Sequence, residues 1–108
     1  MTGGGRGIGR AYARLLAERG ARVVVNDIDP EPAAAVAGEV GGLADAHDVS
    51  TPEGGAAAVA SAVDRFGRVD ILVANAGIVR WAGFPDLDAA NIDAHLAVHL
   101  GGAFHTMR

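Results

Sequence analysis

The chemistry of this sequence starts in its first nine residues. Gly3, Gly4, Gly5, Gly7 and Gly9 surround Arg6 and run straight into a stretch with helical spacing. A helix N-terminus presents free N–H groups and the positive end of the peptide dipoles, so such a loop can hold a phosphate. Glycines let the backbone come close to the anion. The spacing Gly3-x3-Gly7-x-Gly9 differs from the G-x-G-x-x-G of most dinucleotide folds, and no lysine follows the last glycine as a P-loop requires. Nucleoside triphosphate hydrolysis is thereby disfavoured.

Glycines also end and connect elements for steric reasons alone, so the loop needs a second feature beside it, and Asp27 supplies one. It stands 18 residues after Gly9 at the end of the next β-type run, close to the roughly 20-residue offset of the ribose-binding carboxylate in Rossmann units. A carboxylate there accepts from both adenosine ribose hydroxyls and repels a 2′-phosphate, which predicts NAD in preference to NADP. Arg6 argues the other way, because a guanidinium beside the loop can pair with a 2′-phosphate. Asp29 is a second candidate for the ribose, or else the residue that opens the following helix.

Histidine is the other chemically able type. His95 and His99 share a helix face at i, i+4, a geometry that could hold a metal. No Glu follows His95 and no third ligand is in sight, so no metal is expected. His99 could instead relay a proton, or simply pack. Cysteine is absent, which removes disulfides, thiolate metal sites and a Cys nucleophile together. All nine basic residues are arginine, and the single tyrosine is Tyr12. Any mechanism that needs a lysine is excluded within these residues.

The elements that must position these groups alternate helix and strand, which implies a parallel sheet covered by helices. Ile8, Ala11, Tyr12, Leu15 and Leu16 recur at helical spacing, predicting a first helix from about Gly7 to Arg19, ended by Gly20. Arg22–Asn26 reads as a strand buried on both faces, followed by a helix from about Glu31 to Val40 and a strand from Leu43 to Val49. Ser50 with Glu53 forms a capping-box pattern ahead of a helix to about Phe66, with Pro52 in its first turn. Val69–Ala74 is a third strand. A last helix from about Leu87 carries Ile92, Leu96, Leu100, Ala103, Phe104 and Met107 on one stripe, and Trp81 before it lines a pocket or covers the core.

A chain of 108 residues allows one small domain. Half its residues are hydrophobic and 20% charged, a globular composition rather than a disordered one. The net charge of −4 and the lack of a Lys/Arg cluster argue against nucleic acid. No apolar run approaches the roughly 20 residues of a membrane span, and the N-terminus has no signal-peptide core, so a cytoplasmic location without membrane contact is expected.

With these residues in order, the sequence resembles the short-chain dehydrogenase/reductases along essentially its whole length. Thr2-Gly3-x3-Gly7-Ile8-Gly9 is similar to that family's cofactor loop, and Asp27 falls where NAD-preferring members carry an acid. Asp48-Val49 resembles the pair that contacts the adenine ring. Val73-Ala74-Asn75-Ala76-Gly77 resembles the Asn-Asn-Ala-Gly segment beside the nicotinamide ribose, with Ala74 in place of the first Asn. Val98-His99-Leu100-Gly101-Gly102-Ala103-Phe104 resembles the segment that usually holds a catalytic Asn, here His99. Its Val-His-Leu-x-Gly-x-Phe form is similar to the branch that includes (3R)-hydroxyacyl-CoA dehydrogenases.

The resemblance implies a Rossmann-type doubly wound parallel sheet in which residues 1–108 form a partial NAD(P)-binding domain. It implies hydride transfer between a nicotinamide cofactor and a small alcohol or carbonyl substrate, in a parent enzyme that is a homo-oligomer. The family's Ser, Tyr and Lys have no counterpart here, so the chain is expected to be a truncated cofactor-binding half, without its first strand, inactive alone and marginal in stability. A strand missing at the sheet centre would leave the strands at Val23 and Ile71 without a shared neighbour. The competing readings are a non-catalytic dinucleotide-binding or regulatory module, and an unrelated flavodoxin-like domain that would have no reason to keep Gly3, Gly7, Gly9 and Asp27 together.

Overall fold

The computed structural model describes all 108 residues, Met1–Arg108. Helix α1 (Gly7–Glu18) leads through Gly20, at φ +88°, to strand β1 (Val24–Asn26). Helix α2 (Pro30–Val40) begins at Asp29, whose carboxylate accepts from the Glu31 N–H, and ends at Gly41 in the left-handed conformation. Strand β2 (Leu43–Asp45) then pairs with β1 in parallel, with Val24 opposite Leu43 and Asn26 opposite Asp45. This right-sized βαβ unit is the whole of the regular sheet.

Both strands are shorter than the sequence predicts. Arg22 and Val23 precede the ladder, although the Leu43 N–H still reaches the Val23 carbonyl at 3.0 Å. Residues 46–49 leave the sheet because Asp45 turns the chain, its Oδ2 accepting from the His47 N–H at 3.3 Å. The core beneath the sheet is Ala13, Val23, Val25, Val36 and Ala37. The buried face of α1 is that of Gly9, Ala13, Leu16 and Ala17; Ile8, Tyr12 and Leu15 of the expected apolar stripe are exposed.

Val69–Ala74 forms no regular element and joins no ladder, contrary to the expected third strand. Its one sheet-like bond runs from the Thr2 N–H to the Val73 carbonyl at 3.0 Å. Met1–Gly4 lies between this segment and β1, since Met1 O accepts from the Asn26 N–H at 2.9 Å and Gly4 N–H donates to Asn26 O at 2.8 Å. The strands at Val23 and Ile71 therefore do share a neighbour at their C-terminal ends. Further back, an apolar cavity of about 260 Å³ separates them, lined by Leu16, Val23, Ala58, Phe66 and Ile71 among others.

Helix α3 (Pro52–Phe66) is capped by Thr51, whose Oγ1 accepts from the Gly54 N–H at 3.0 Å, one residue later than the Ser50 pattern predicts. The final helical run comprises α4 (Ala89–His95), a π-helical segment over Leu96–Gly101, and α5 (Gly102–Met107). A 3-10 turn at Phe84–Asp86 precedes it, and Asp88 caps it at Asn91, so the helix starts later than Leu87. It packs on α3 through Gly55, where a Cβ would stand 2.4 Å from the His105 Cβ. Ile92, Leu96, Leu100, Phe104 and Met107 are exposed along its outer side. Trp81 is 94% exposed, so it does not cover the core, and it lines neither of the two larger cavities. No helix is long and apolar enough to cross a membrane.

Candidate functional site

Three of the four α-helices that start from extended backbone carry a side-chain cap; α1 does not. Its N-cap residue, Arg6, makes no capping bond, and the first intrahelical bond is Arg10 N–H to Arg6 O at 3.1 Å. The N–H groups of Gly7, Ile8 and Gly9 are thus left without a protein acceptor, the situation in which a helix N-terminus takes an anion. A left-handed turn at Gly7, φ +50°, brings the chain into the helix, and nothing lies within 4 Å of where a Cβ would project there.

These donors open into a cleft of about 460 Å³. Gly3, Arg6, Gly7, Ile8 and Gly9 form its floor. Asp27 stands at the end of β1, and Asp48 and Val49 follow β2. Asn75, Ala76 and Gly77 close the opposite side. The structure therefore gathers on one surface the residues that the sequence assigns to a cofactor, except Asp29, the second candidate for the ribose, which lies outside the lining. Tyr12 and Trp81 lie outside it.

The loop is fixed from two directions. Asp27 Oδ2 accepts from the Gly5 N–H at 3.1 Å, and its Oδ1 accepts from the Asp29 N–H at 3.2 Å. On the other side Asn75 donates through Nδ2 to the carbonyls of Thr2 and Gly3, each at 3.1 Å. A Cβ on Gly9 would stand 2.0 Å from the Gly3 carbonyl oxygen, so only glycine fits beneath that turn. Asp48 Oδ1 accepts from the Ser50 N–H at 2.9 Å, which shapes the turn after β2.

Asn26, His47 and Ile78 also line the cleft, and the sequence reading passed over them. Asn26 is buried and donates to Asp45 Oδ2 at 2.6 Å and to the His47 carbonyl at 2.9 Å. Asp45 Oδ1 meets His47 Nδ1 at 2.7 Å and accepts from the Ser61 hydroxyl at 3.0 Å. Burial opposes ionisation of Asp45 most strongly, yet the bonds from Asn26, His47 and Ser61 together hold its carboxyl below the ordinary carboxylate range. The signal was available: a polar residue closing a run of valines asks for a buried partner.

His99 is not among the lining residues; it reaches the cleft through Ile78. Its Nε2 lies 3.1 Å from the Ile78 N–H and 2.9 Å from the Ile78 carbonyl. His95 stacks on it, with ring centroids 5.8 Å apart and planes 3° from parallel. His95 Nδ1 donates to Asn91 O at 2.8 Å, and its Nε2 accepts from the Arg80 N–H at 3.4 Å. The two histidines pin residues 78–80 to the last helical run. The π-helical turn, a feature frequent at functional sites, falls on His99.

Comparison with known proteins agrees with this architecture. The family model described as short chain dehydrogenase matches residues 1–108. The chain is 45% identical over 105 residues to the peroxisomal hydratase-dehydrogenase-epimerase of Neurospora crassa, covering 96% of this chain and 12% of that protein. A solved short chain dehydrogenase from Mycobacterium avium superposes with a TM-score of 0.92 at 41% identity, over 99% of this chain and 43% of the other. A 3-ketoacyl-(acyl-carrier-protein) reductase from Brucella melitensis, solved in complex with NADH, gives 0.94 at 39% identity, over 99% and 46%. The chain spans less than half the length of these relatives, and its parallel α/β unit matches the N-terminal portion of their Rossmann-type fold. It belongs to the short-chain dehydrogenase family.

Proposed function

We propose that these residues are the cofactor-binding part of an NAD-dependent oxidoreductase that moves a hydride between the nicotinamide ring and a small alcohol or carbonyl substrate. The observation that carries this reading is the uncapped α1 N-terminus opening into the same cleft as Asp27. The cleft residues fit a dinucleotide. Gly7, Ile8 and Gly9 offer N–H donors to its pyrophosphate. Asp27 keeps lone pairs for ribose hydroxyls beyond the two N–H groups it already accepts. Asp48 and Val49 border the adenine, and Asn75, Ala76 and Gly77 the nicotinamide ribose. The names of two relatives, a hydratase-dehydrogenase-epimerase and a 3-ketoacyl reductase, fit alcohol and carbonyl chemistry.

The nicotinamide supplies the hydride when bound. The protein's part is to orient it, and His99 positions the wall at Ile78 that faces it. The 108 residues hold no lysine and only Tyr12, which lies in α1, so dinucleotide binding without turnover is expected of them alone. The parent enzyme is read as a homo-oligomer without a nucleic-acid or membrane partner.

Titration with NADH, followed by nicotinamide fluorescence, tests the reading. Saturable binding is expected, lost in Gly9→Val and shifted toward NADPH in Asp27→Ala by about tenfold in the ratio of dissociation constants, one lost charge repulsion. An unchanged ratio in a variant that still binds would remove Asp27 from the discrimination. Absence of binding by the folded chain would sink the reading.

A further inference from the structure

Arg6 is the only arginine lining the cleft, and it is not free. Its Nη2 lies 2.6 Å from Asp29 Oδ2. Asp29 itself is outside the cleft lining and caps α2, its Oδ1 accepting from the Glu31 N–H at 3.3 Å. The same few residues therefore contain two carboxylates with separate tasks. Asp27 faces the cleft and holds the glycine loop at Gly5; Asp29 stands behind Arg6 and takes up its charge.

We propose that Asp29 is a specificity-determining residue that acts through Arg6: it holds the guanidinium in an ion pair, so a dinucleotide 2′-phosphate finds no free cation in the cleft. This rests on the reading of the cleft as a dinucleotide site. A guanidinium beside a phosphate-binding loop is the group best suited to a bidentate phosphate contact. Left unpaired, Arg6 would favour the phosphorylated cofactor and oppose Asp27. Paired with Asp29, it offers a phosphate little net charge, and a phosphate that pulled it away would leave Asp29 unmatched next to Asp27 and Glu31. The bond from Asp29 raises the Arg6 pKa and the bond from Arg6 lowers that of Asp29, which is the mutual neutralisation the latch needs. The pair is exposed, so it is weak enough to be opened by one substitution.

The test is a comparison of NADH and NADPH dissociation constants in the full chain, in Asp29→Asn, in Arg6→Ala and in the double variant. Asparagine caps a helix as well as aspartate, so Asp29→Asn removes the charge and keeps the α2 cap; Asp29→Ser is a second cap-retaining version. In both, NADPH should gain on NADH by about tenfold, the scale of one charge-assisted contact. The gain should vanish when Arg6 is also alanine. A gain of the same size without Arg6 would assign the effect to Asp29's own field and overturn the latch. An unchanged ratio in Asp29→Asn that binds NADH would overturn it too. Binding of neither dinucleotide by any folded variant would instead overturn the dinucleotide reading of the cleft, and the latch with it.

Discussion

Thr2 and Asn75 are bonded in both directions: Asn75 Nδ2 donates to the Thr2 carbonyl at 3.1 Å, and the Thr2 hydroxyl accepts from the Asn75 N–H at 3.0 Å. The same hydroxyl also accepts from the Ala76 N–H at 3.0 Å. Thr2 is 4% exposed, so no solvent replaces these bonds if they are lost. This pair ties the glycine loop to the far wall of the cleft across 73 residues of sequence.

Removing the Thr2 hydroxyl while keeping its shape should therefore be costly. Thr2→Val leaves the Ala76 N–H without an acceptor and the Asn75 N–H with only the Val73 carbonyl at 3.1 Å, and is expected to cost about 1–3 kcal/mol, whereas Thr2→Ser should cost much less. Urea unfolding of the two variants against the parent chain measures this. Equal stability of Thr2→Val and the parent would mean that the hydroxyl adds nothing to the tie, which then rests on the Asn75 amide bonds to the Thr2 and Gly3 carbonyls.

Gly9 and Gly38 separate two uses of glycine. At Gly9 a Cβ would collide with the Gly3 carbonyl, so Gly9→Ala should distort the loop and weaken dinucleotide binding. Gly38 lies inside α2 with nothing within 4 Å of a Cβ position. Gly38→Ala is expected to stabilise the chain by about 0.5–1 kcal/mol through helix propensity alone. Melting temperatures and NADH titration on the two variants should move independently.

The helices were legible because their ends are written locally: Gly20, Gly41 and Gly67 all take positive φ where the sequence places the stops. Gly3, Gly7, Gly9 and Asp27, grouped from their spacing, do line one cleft. Of the strands, β1 and β2 fall inside the predicted runs but are shorter, and the third is missing, since a ladder needs a partner and Val69–Leu72 has no backbone bonding neighbour however β-prone its residues are. The apolar stripe on the last helix was legible as a stripe, but periodicity shows only that a face is apolar, and Ile92, Leu96, Leu100, Phe104 and Met107 are exposed. The Arg6–Asp29 pair and the Asn26–Asp45–His47 bonds were out of reach, as they join residues whose distance in space no spacing rule gives.

Asp45 makes acid stability a test of its buried network. Its carboxyl is held below the ordinary range in the folded state, so the stabilisation is present above the unfolded value of about 4 and is lost as pH falls through the folded value. Unfolding free energy should decline as pH falls below about 4 more steeply for the parent than for Asp45→Asn, whose amide cannot titrate. Parallel pH profiles would show that Asp45 is equally easy to protonate folded and unfolded.

His99 meets both backbone groups of Ile78 with one ring nitrogen, and a single nitrogen can serve only one of them in a given tautomer. As acceptor it satisfies the N–H and leaves the carbonyl; as donor it does the reverse. A carboxamide carries an acceptor and a donor side by side, and that of glutamine extends about as far as the imidazole Nε2, so it can serve both at once. His99→Gln is therefore expected to hold or raise stability by up to about 1 kcal/mol, while His99→Ala loses the bond to Ile78 together with the stacking on His95. Urea unfolding ranks the three. If His99→Ala matches the parent, the imidazole does not pin Ile78; if His99→Gln falls as far as alanine, the ring stacking with His95, rather than the bond to Ile78, is what holds this wall of the cleft.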